Sequence, residues 1–534
     1  MDSSTLQIFL AMAGYMLIVI GIGVFYAKRS NKSSEDYFIG GRTLGPWVAA
    51  MSAEASDMSG WLLMGLPGVA YWCGIADAAW TAIGLAIGTY VNWLIVAKRL
   101  RKYSTVAGNA ITIPEFFSNR FKEKKNIIMT LSAVFILIFF TVYASSCFVT
   151  CGKLFSTLFG YSYHSMLIVG AVFVVVYTFL GGFLAESVSD FMQAVVMVIA
   201  LVTVLVLGTN NAGGIDAVIE NAKAIPGYFS LTAMASPITN ADGVQQVVDG
   251  VAQFGEPGKY GLLTILSTMS WGLGYFGIPQ VLLRFMAIRE TSELKKSRRI
   301  ATVWVVISLF AAVCSGVIGR AIFPVKENLL TSGGAENIFI NLSEYLLPAL
   351  LAGVVMAGVL AATISSSDSY LLIASSAFAK NIYEKSPKAA KFYTKLTKKD
   401  ADDKAVMWVS RIALLLISVL GIAIAWDEDS VIFDIVSFAW SGFGATFGPI
   451  MLFSLFWKRT SYPGAIAGMV GGAGMVFFWK LVLKPLGGIF GIYELMPAFL
   501  FSCLLIVVVS LLTKKPSKEI EDEFEMAKSG AVED

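Results

Sequence analysis

The chain has 534 residues, of which 56% are hydrophobic and only 14% are charged. Its mean hydropathy of +0.71 lies well above the values of soluble domains, and its formal net charge is only +3. These values exclude an ordinary soluble domain and a strongly basic nucleic-acid-binding protein. They predict an all-α polytopic membrane protein.

Apolar runs long enough to cross a hydrocarbon core of about 30 Å occur thirteen times along the chain. The first run has no basic residue ahead of it and is followed at once by Lys28 and Arg29, so we predict a retained span rather than a cleaved signal. The predicted spans cover residues 6–27, 46–72, 75–98, 126–154, 165–185, 188–209, 258–287, 300–324, 346–380, 405–426, 431–456, 462–482 and 493–513.

The basic residues predict the orientation of these spans, because cytoplasmic loops of membrane proteins are rich in Lys and Arg. With the N-terminus outside the cell and the C-terminus in the cytoplasm, the inside segments carry 31 basic residues and the outside segments carry three. A missed or invented span would invert this pattern downstream. We therefore predict a multi-pass protein of the plasma membrane in this orientation.

The stretch Ser52–Trp61 places two carboxylates, three hydroxyls and a glycine inside the second apolar span. An acid near the bilayer centre costs about 3 kcal/mol even on lenient insertion scales, and free backbone groups also need a partner there. We therefore predict that span 2 is a broken helix with a solute or ion site. Glu54 is either a second intramembrane acid or faces a cytoplasmic vestibule.

Span 7 is interrupted in a similar way between Ser270 and Pro279, by three glycines and the proline. Glycine permits unwinding and proline removes a ladder donor, although single glycines in membrane helices more often mark close packing. Span 7 follows span 2 by five crossings and therefore enters the membrane from the opposite side. Such paired breaks predict an inverted repeat with a transport site at its centre, near Asp57, Ser59, Trp271 and Tyr275.

The repeat defines the predicted organisation of the chain. The segments are a first span with its loop (1–45), a first five-helix repeat (46–209), a structured extracellular loop (210–257), a second, inverted five-helix repeat (258–456), two peripheral spans (457–513) and a solvated cytoplasmic tail (514–534). No module that binds nucleotides is evident in the tail.

Span 9 carries a second polar cluster, in which Ala362, Ser365 and Ser366 share one helix face. A carbonyl and two hydroxyls are hard oxygen ligands, which suit a hard cation such as sodium. The alternative is that the serines only bond back to their own helix. Asp190, at the start of span 6, either interacts favourably with the helix dipole or handles ions.

Enzyme signatures are absent from the sequence: it has no GxSxG, Walker loop, HExxH or dinucleotide fingerprint. We therefore predict that the protein is not an enzyme and that an ion gradient rather than ATP supplies the energy.

Several motifs extend over nearly the whole chain, namely Asp36–Arg42, Ser56–Gly68, Gly181–Ala185 before Asp190, Trp271–Gly277 with Pro279, and Leu360–Ala362 ahead of the serines. Together they resemble the solute:sodium symporter family, and within it the branch that carries proline. The resemblance implies a five-helix inverted-repeat fold like that of the leucine transporter, with broken helices 2 and 7. It also implies sodium-coupled uptake of L-proline by alternating access. We infer no obligate protein partner from the sequence.

The resemblance further implies roles for individual residues. Asp57 tunes sodium affinity from close by, and Ser366 stands where the proline branch often has threonine. Sodium would be held by the carbonyls of Ala55, Met58 and Ala362 and the hydroxyls of Ser365 and Ser366. Proline would lie against Ser59 and Gly60, with Tyr143, Trp271, Tyr275 and Pro279 lining its pocket. Asp368 is an acid not expected from the family and, with Asp190, leaves open a second cation site that takes part in ion coupling.

Three alternatives remain at the level of the sequence. The same fold could carry another small solute, such as another amino acid, a monocarboxylate, pantothenate or a sugar. The protein could be a membrane sensor that binds solute without transport, although the short tail lacks an output domain. An ion channel is the third alternative.

Overall fold

A computed structural model of the chain describes residues 2–30, 33–180, 182–386 and 403–529. Gly181 of the family motif and residues 387–402 of the predicted cytoplasmic segment lie outside these ranges, as do the last five residues of the tail. The described chain is dominated by helices.

The described residues of the first half of the chain form eleven α-helices. They are α1 (Ser3–Ser30), α2 (Ser34–Ile39), α3 (Pro46–Asp57), α4 (Leu66–Cys73), α5 (Ile75–Val91), α6 (Ala97–Val106), α7 (Ile113–Arg120), α8 (Ile127–Phe159), α9 (Tyr163–Leu180), α10 (Phe183–Asn211) and α11 (Ile215–Ala224). Two π-helical turns, Trp61–Gly65 and Asn92–Val96, connect α3 to α4 and α5 to α6.

The second half of the described chain forms twelve more α-helices. They are α12 (Leu262–Met269), α13 (Trp271–Gly274), α14 (Pro279–Ala287), α15 (Leu294–Ile322), α16 (Ser332–Ala335), α17 (Ile338–Leu346), α18 (Ala349–Ser376), α19 (Asp403–Ile424), α20 (Ile432–Phe456), α21 (Tyr462–Phe478), α22 (Leu495–Leu512) and α23 (Lys518–Ser529). Two further π-helical segments lie in this half: Ala377–Tyr383 continues α18, and Trp479–Leu483 continues α21.

Ten helices in the described part of the chain are long and apolar enough to cross a membrane. The other three predicted spans correspond to shorter apolar helices, at Trp61–Cys73, Tyr163–Phe179 and Leu262–Gly274. Two of these belong to the spans that were expected to be broken. The count of thirteen crossings therefore stays a prediction.

The predicted break in span 2 lies between α3 and α4. Helix α3 ends at Asp57, and Met58 leaves the helical region with φ −85° and ψ 74°. The π-helical turn follows directly, because Pro67 at the start of α4 has no N–H with which to continue the regular ladder. The chain thus interrupts a membrane helix at Asp57–Gly60.

The predicted break in span 7 lies between α13 and α14, where Tyr275–Ile278 are not helical. The glycines of this span are required mainly by close contacts. A Cβ on Gly274 would lie 2.0 Å from Trp440 Nε1, and one on Gly277 would lie 2.4 Å from the Phe443 carbonyl oxygen. The packing interpretation of these glycines is therefore the better one, while the unwinding itself occurs as expected.

The 210–257 segment contains α11 and most of four very short strands. Strand β1 (Ala233–Met234) pairs antiparallel with β4 (Gly258–Lys259), and β2 (Val247–Val248) pairs antiparallel with β3 (Val251–Ala252). Ala233 lies opposite Lys259, and Val247 lies opposite Ala252.

The tail differs from the sequence-based expectation of a solvated end, because α23 packs against the protein. Ile520, Phe524 and Ala527 are buried along one face of this helix. The Phe524 ring lies 6.3 Å from the ring of Tyr103 in α6. Their spacing of four and three residues forms an apolar stripe among charged residues, and its burial explains the docking.

Candidate functional site

The break in span 2 brings α3 against the middle of α18. The Ser365 hydroxyl donates to the Ala55 carbonyl oxygen at 2.8 Å, and the Ser366 hydroxyl donates to the same oxygen at 3.2 Å. Ser365 Oγ also lies 3.2 Å from the Ala362 carbonyl oxygen. Four of the five predicted sodium ligands therefore lie together, and Met58 is the first residue of the break. Each hydroxyl keeps acceptor lone pairs, so this oxygen set fits a sodium ion.

The carboxylate of Asp57 lies at the end of α3, beside this oxygen cluster. Its Oδ2 accepts a hydrogen bond from the Tyr275 hydroxyl at 2.8 Å, whereas Oδ1 has no partner among the described residues. The Asp57 carbonyl oxygen accepts from the Tyr143 hydroxyl and from Trp61 Nε1, each at 3.2 Å. Two broken helices and α8 thus meet at Asp57, and one carboxylate oxygen remains available to a bound cation.

Aromatic rings surround Trp271, the first residue of α13. Its ring centroid lies 6.0 Å from that of Trp61, 5.3 Å from that of Phe433, 5.8 Å from that of Trp440 and 5.3 Å from that of Tyr493. Trp440 Nε1 also donates to the Trp271 carbonyl oxygen at 2.8 Å. Together these rings form a rigid apolar wall.

The remaining predicted solute residues are only partly brought together. Ser59 Oγ is buried and has no hydrogen-bond partner among the described residues. Gly60 packs against Thr150, where a Cβ would lie 2.3 Å from Oγ1. Tyr143 stacks on Tyr370 with ring centroids 4.2 Å apart. Pro279 instead lines a separate cavity of about 10 Å³ that is formed with residues of α2, α7 and the end of α18.

Arg284 in α14 is a buried arginine that is not among the predicted site residues, and it organises the acids next to the predicted sodium ligands. Its Nη2 pairs with Glu186, lies 3.2 Å from Asp190 Oδ2 and donates to Ser369 Oγ at 2.9 Å. Its Nε donates to Ser52 Oγ at 2.9 Å, and Ser52 in turn donates to Asp190 at 2.7 Å. Four helices, α3, α10, α14 and α18, are thereby joined through one guanidinium group.

The signal that could have identified Arg284 is its position, since a basic residue inside an apolar span is a functional candidate by itself.

The sequence left two roles open for Asp190, a favourable interaction with the helix dipole or ion handling. The structure resolves this in part, because the Asp190 carboxylate is ion-paired rather than directed only at a helix dipole. Asp368 lies nearby: its Oδ1 accepts from the Ser369 N–H at 2.8 Å, and with Glu186 it lines a cavity of about 10 Å³.

The position of Glu54 is also resolved. Its side chain is fully buried, and Oε1 accepts from Trp93 Nε1 at 3.1 Å. Trp93 belongs to the π-helical turn Asn92–Val96, and the neighbouring Asn92 donates to the Tyr275 carbonyl oxygen at 2.9 Å. Glu54 is therefore a second buried acid rather than a residue that faces a vestibule.

The candidate site is closed to solvent on both sides. Asp57, Ser365 and Tyr275 are each 0% exposed, and Trp271 is 3% exposed. On the side of the 210–257 segment, Lys153 Nζ pairs with Glu336 Oε2 at 2.8 Å in a buried ion pair. The Glu336 carboxylate also accepts the N–H groups of the first two residues of α20, each at 3.0 Å. This arrangement fastens α8, α16 and α20 together above the aromatic wall.

Comparison with known proteins is consistent with a transport site. A family model described as the sodium:solute symporter family matches residues 37–472. The chain is 40% identical over 520 residues to sodium/proline symporters of Staphylococcus aureus strains USA300 / TCH1516 and JH9, which covers 97% of this chain and 95% of each relative.

Solved structures show the same fold at low identity. A sodium-coupled sialic acid symporter in a substrate-bound outward-open state matches with a TM-score of 0.73 and 17% identity, over 96% of this chain and 99% of that one. Mhp1, a nucleobase-cation-symport-1 family transporter, matches with a TM-score of 0.50 and 12% identity, over 93% of this chain and 99% of that one. The predicted fold class, a helical membrane fold like that of the leucine transporter, is confirmed, with the four short strands confined to the region around residues 233–259.

Proposed function

This chain belongs to the sodium:solute symporter family, and from that premise we propose that it carries L-proline into the cell together with sodium. The 40% identity to sodium/proline symporters over nearly the whole chain supports proline as the solute. The two broken helices and the closed site between them support a mechanism of alternating access.

The observation that carries the proposal is the convergence of oxygen atoms between α3 and α18. In the proposed site the carbonyls of Ala55, Met58 and Ala362 and the hydroxyls of Ser365 and Ser366 hold sodium. The ion takes the place of the present hydroxyl-to-carbonyl hydrogen bonds. Asp57 supplies nearby negative charge and, through Tyr275, links the ion to the broken span 7.

The proposed solute pocket adjoins this ion. Ser59 and Gly60 follow Asp57 in the break, and the Tyr143 and Tyr275 hydroxyls both donate to Asp57. A compact apolar ring such as that of proline suits the aromatic wall around Trp271. Pro279 is proposed to act at the inner end of the path, since it lines a different cavity from that wall. Unpaired Ser59 Oγ is available to a polar group of the solute.

Asp190 and Asp368 are proposed to take part in ion coupling through Arg284. Arg284 bonds to Ser52, three residues before Ala55, and to Ser369, four residues after Ser365. It therefore ties together the two helices that supply the sodium ligands. We propose one sodium ion per cycle, because the oxygen cluster between α3 and α18 provides one site that fits a cation.

The proposed orientation places the N-terminus outside the plasma membrane and the C-terminus in the cytoplasm, as the distribution of basic residues predicts. The proposed moving units are the repeats 46–209 and 258–456, with the loop 210–257 outside and the spans within 457–513 peripheral. Residues 1–45 and the tail 514–534 flank them.

Uptake of labelled proline into proteoliposomes, with and without an inward sodium gradient, tests the proposal. One sodium ion moving inward across 100 mV releases about 2.3 kcal/mol, and a tenfold sodium gradient adds about 1.4 kcal/mol, so accumulation should approach about 500-fold. Unlabelled proline should compete, whereas pantothenate, monocarboxylates and sugars should not. Uptake that is independent of sodium, or that another solute abolishes at lower concentration than proline, would refute it.

A further inference from the structure

A deep apolar groove of about 940 Å³ lies outside the transport site, between α5, α10 and α15. Its walls are formed by one face of each helix, including Ala82 and Ala86 of α5 and Val313 of α15. All of these helices are membrane-spanning in length and composition. The groove therefore opens sideways toward the hydrocarbon of the bilayer, on the half nearer to the 210–257 segment.

A roof closes one end of this groove. Helix α11 directs Ile215, Val218 and Ile219 toward it, at the spacing of one helix face, and Phe229 extends the roof. The roof is held by a separate apolar cluster in which Val218 packs with Tyr228 and with Ile318 of α15. Ile215 remains 67% exposed and Phe229 40% exposed, so the underside of the roof lacks a covering group within the described chain.

The chemistry of the lining indicates the kind of occupant. All lining side chains are hydrocarbon except those of Cys314, Thr209 and Asn210. Thr209 and Asn210 lie together at the end of α10 beneath the roof. A straight transmembrane helix, about 10 Å wide, would run into the roof, whereas a flexible chain can end under it. An amphiphile with one polar end and a long apolar chain fits both features.

We propose that this groove binds an acyl chain of a glycerophospholipid from the leaflet on the α11 side, which is the outer leaflet in the orientation proposed above. The chain fills the space between α5 and α15, and the ester region lies beside Thr209 and Asn210. Water is a poor occupant, because so few polar groups are present to bind it.

The helices that form the walls of the groove pack directly against both broken helices. A Cβ on Gly88 of α5 would lie 2.4 Å from the carbonyl oxygen of Gly272 in α13, and one on Gly316 of α15 would lie 2.3 Å from that of Pro67 in α4. An acyl chain between α5 and α15 therefore contacts two helices that have little room to move independently of the transport site. Its presence stabilises one arrangement of the broken helices over the other.

Photo-crosslinking tests the binding site independently of transport. The full-length protein is placed in nanodiscs of phosphatidylcholine that carries a diazirine on one acyl chain, and cross-linked peptides are mapped by mass spectrometry. Groove positions should be labelled more strongly than the lipid-facing side of α9, represented by Val172, which is 56% exposed. Ala86→Trp and, on the opposite wall, Val313→Phe should reduce groove labelling to the α9 level.

Equal labelling of the groove and of α9 in the unaltered protein would overturn the proposal. So would groove labelling that neither variant reduces, or cross-linking of the groove mainly to a second protein chain. Two variants on different walls of the groove are used because either one alone could disturb packing. A variant is compared only if its melting temperature matches that of the unaltered protein.

The coupling to transport is tested separately and rests on the proposed function. In sodium-dependent proline uptake, Ala86→Trp should shift the sodium half-saturation by about fivefold or more, the scale of a typical coupling free energy. The matched control Val172→Trp should leave it unchanged. A normal half-saturation in Ala86→Trp would overturn the coupling while leaving the sodium-coupled uptake itself intact.

Discussion

At the scale of single residues, the Ala55 carbonyl oxygen is the point where α3 and α18 meet. It accepts two hydroxyl hydrogen bonds from α18, although Ser365 and Ser366 are separated from it by more than 300 residues in the chain. Within the described chain, the hydroxyl of Ser367, the next residue, bonds only to its own helix, through the Thr363 carbonyl oxygen at 2.6 Å and the Ile364 carbonyl oxygen at 3.3 Å. Ser365 and Ser366 therefore bond across to another helix, whereas Ser367 bonds back to its own helix. These are the two alternatives that the sequence raised for the serines of span 9.

This difference provides a matched pair of substitutions. Ser365→Ala should raise the sodium half-saturation of uptake by about 10- to 100-fold, because a ligand to a charged group contributes about 1.5–3 kcal/mol. Ser367→Ala should have almost no effect on it. Sodium titration of proline uptake measures both variants, and equal half-saturation values would contradict the proposed role of Ser365.

Asp57 gives a second prediction at this scale. Asp57→Asn removes the charge next to the ion and should weaken sodium dependence strongly while the protein still folds, because Asn retains an acceptor for the Tyr275 hydroxyl. Tyr275→Phe removes that hydrogen bond, whose net contribution is about 1 kcal/mol, and should raise the sodium half-saturation by about fivefold. Sodium activation curves and thermal melts would separate the two effects, and an unchanged curve for Asp57→Asn would refute the assignment.

At the scale of elements, helix contacts rather than unwinding explain many glycines. Gly84 and Gly88 on α5 allow the backbones of α12 and α13 to approach, since a Cβ at either position would lie 2.4 Å from a carbonyl oxygen. A backbone atom cannot turn aside as a side chain can. The first half of the broken span 7, α12 and α13, is therefore tightly packed on α5.

Gly88→Ala should consequently lower the free energy of unfolding by about 1–3 kcal/mol, as overpacking does, and should reduce uptake. Gly474 in α21 is the control, because a Cβ there meets nothing within 4 Å. Gly474→Ala should be neutral or stabilise the helix by up to about 1 kcal/mol. Denaturation of the purified protein in detergent measures both, and a neutral Gly88→Ala would show that α5 and α13 can separate freely.

The ion pair between Lys153 and Glu336 is a second feature of this scale, because it joins α8 to α16 and to the start of α20. Lys153→Met should destabilise the closed arrangement by about 3–5 kcal/mol, since it leaves the Glu336 carboxylate buried without its cation. Lys458→Met is the control: this side chain is 57% exposed and lies 3.8 Å from Glu525, so its loss should cost at most about 1 kcal/mol. Thermal melts compare the variants, and similar melting temperatures would contradict the structural role of the buried pair.

At the scale of the whole molecule, the proposed orientation determines which broken helix end faces which side. It depends on the uneven distribution of basic residues. The exposed Ala241 in the 210–257 segment and the exposed Lys124 between α7 and α8 are expected on opposite sides of the membrane.

Cysteine labelling in intact cells tests this arrangement. A membrane-impermeant maleimide should react with Ala241→Cys in intact cells and with Lys124→Cys only after permeabilisation. The unaltered protein, whose five cysteines are free and either buried or partly buried, provides the background. Labelling of Lys124→Cys in intact cells would reverse the orientation.

The sequence alone was sufficient for the fold class and for the positions of both helix breaks, and it singled out polar residues such as Asp57 and Ser365 near the proposed sodium site. This was possible because a bilayer restricts sequence so strongly: a polar residue in an apolar span, such as Asp57 or Ser365, stands out without knowledge of its neighbours. By the same reasoning, the lengths of the apolar runs predict the membrane crossings, and the uneven distribution of Lys and Arg predicts the orientation.

Only the tertiary structure decided which of these residues meet. It paired Asp190 with Arg284 and Glu54 with Trp93, directed Gly60 toward Thr150 and Pro279 toward a separate cavity, and docked α23 where a solvated tail was expected. These contacts join residues far apart in the chain, and their partners depend on how helices cross rather than on local composition. Hydropathy identifies the residues that need a partner in the membrane, whereas helix packing determines which partner each one has.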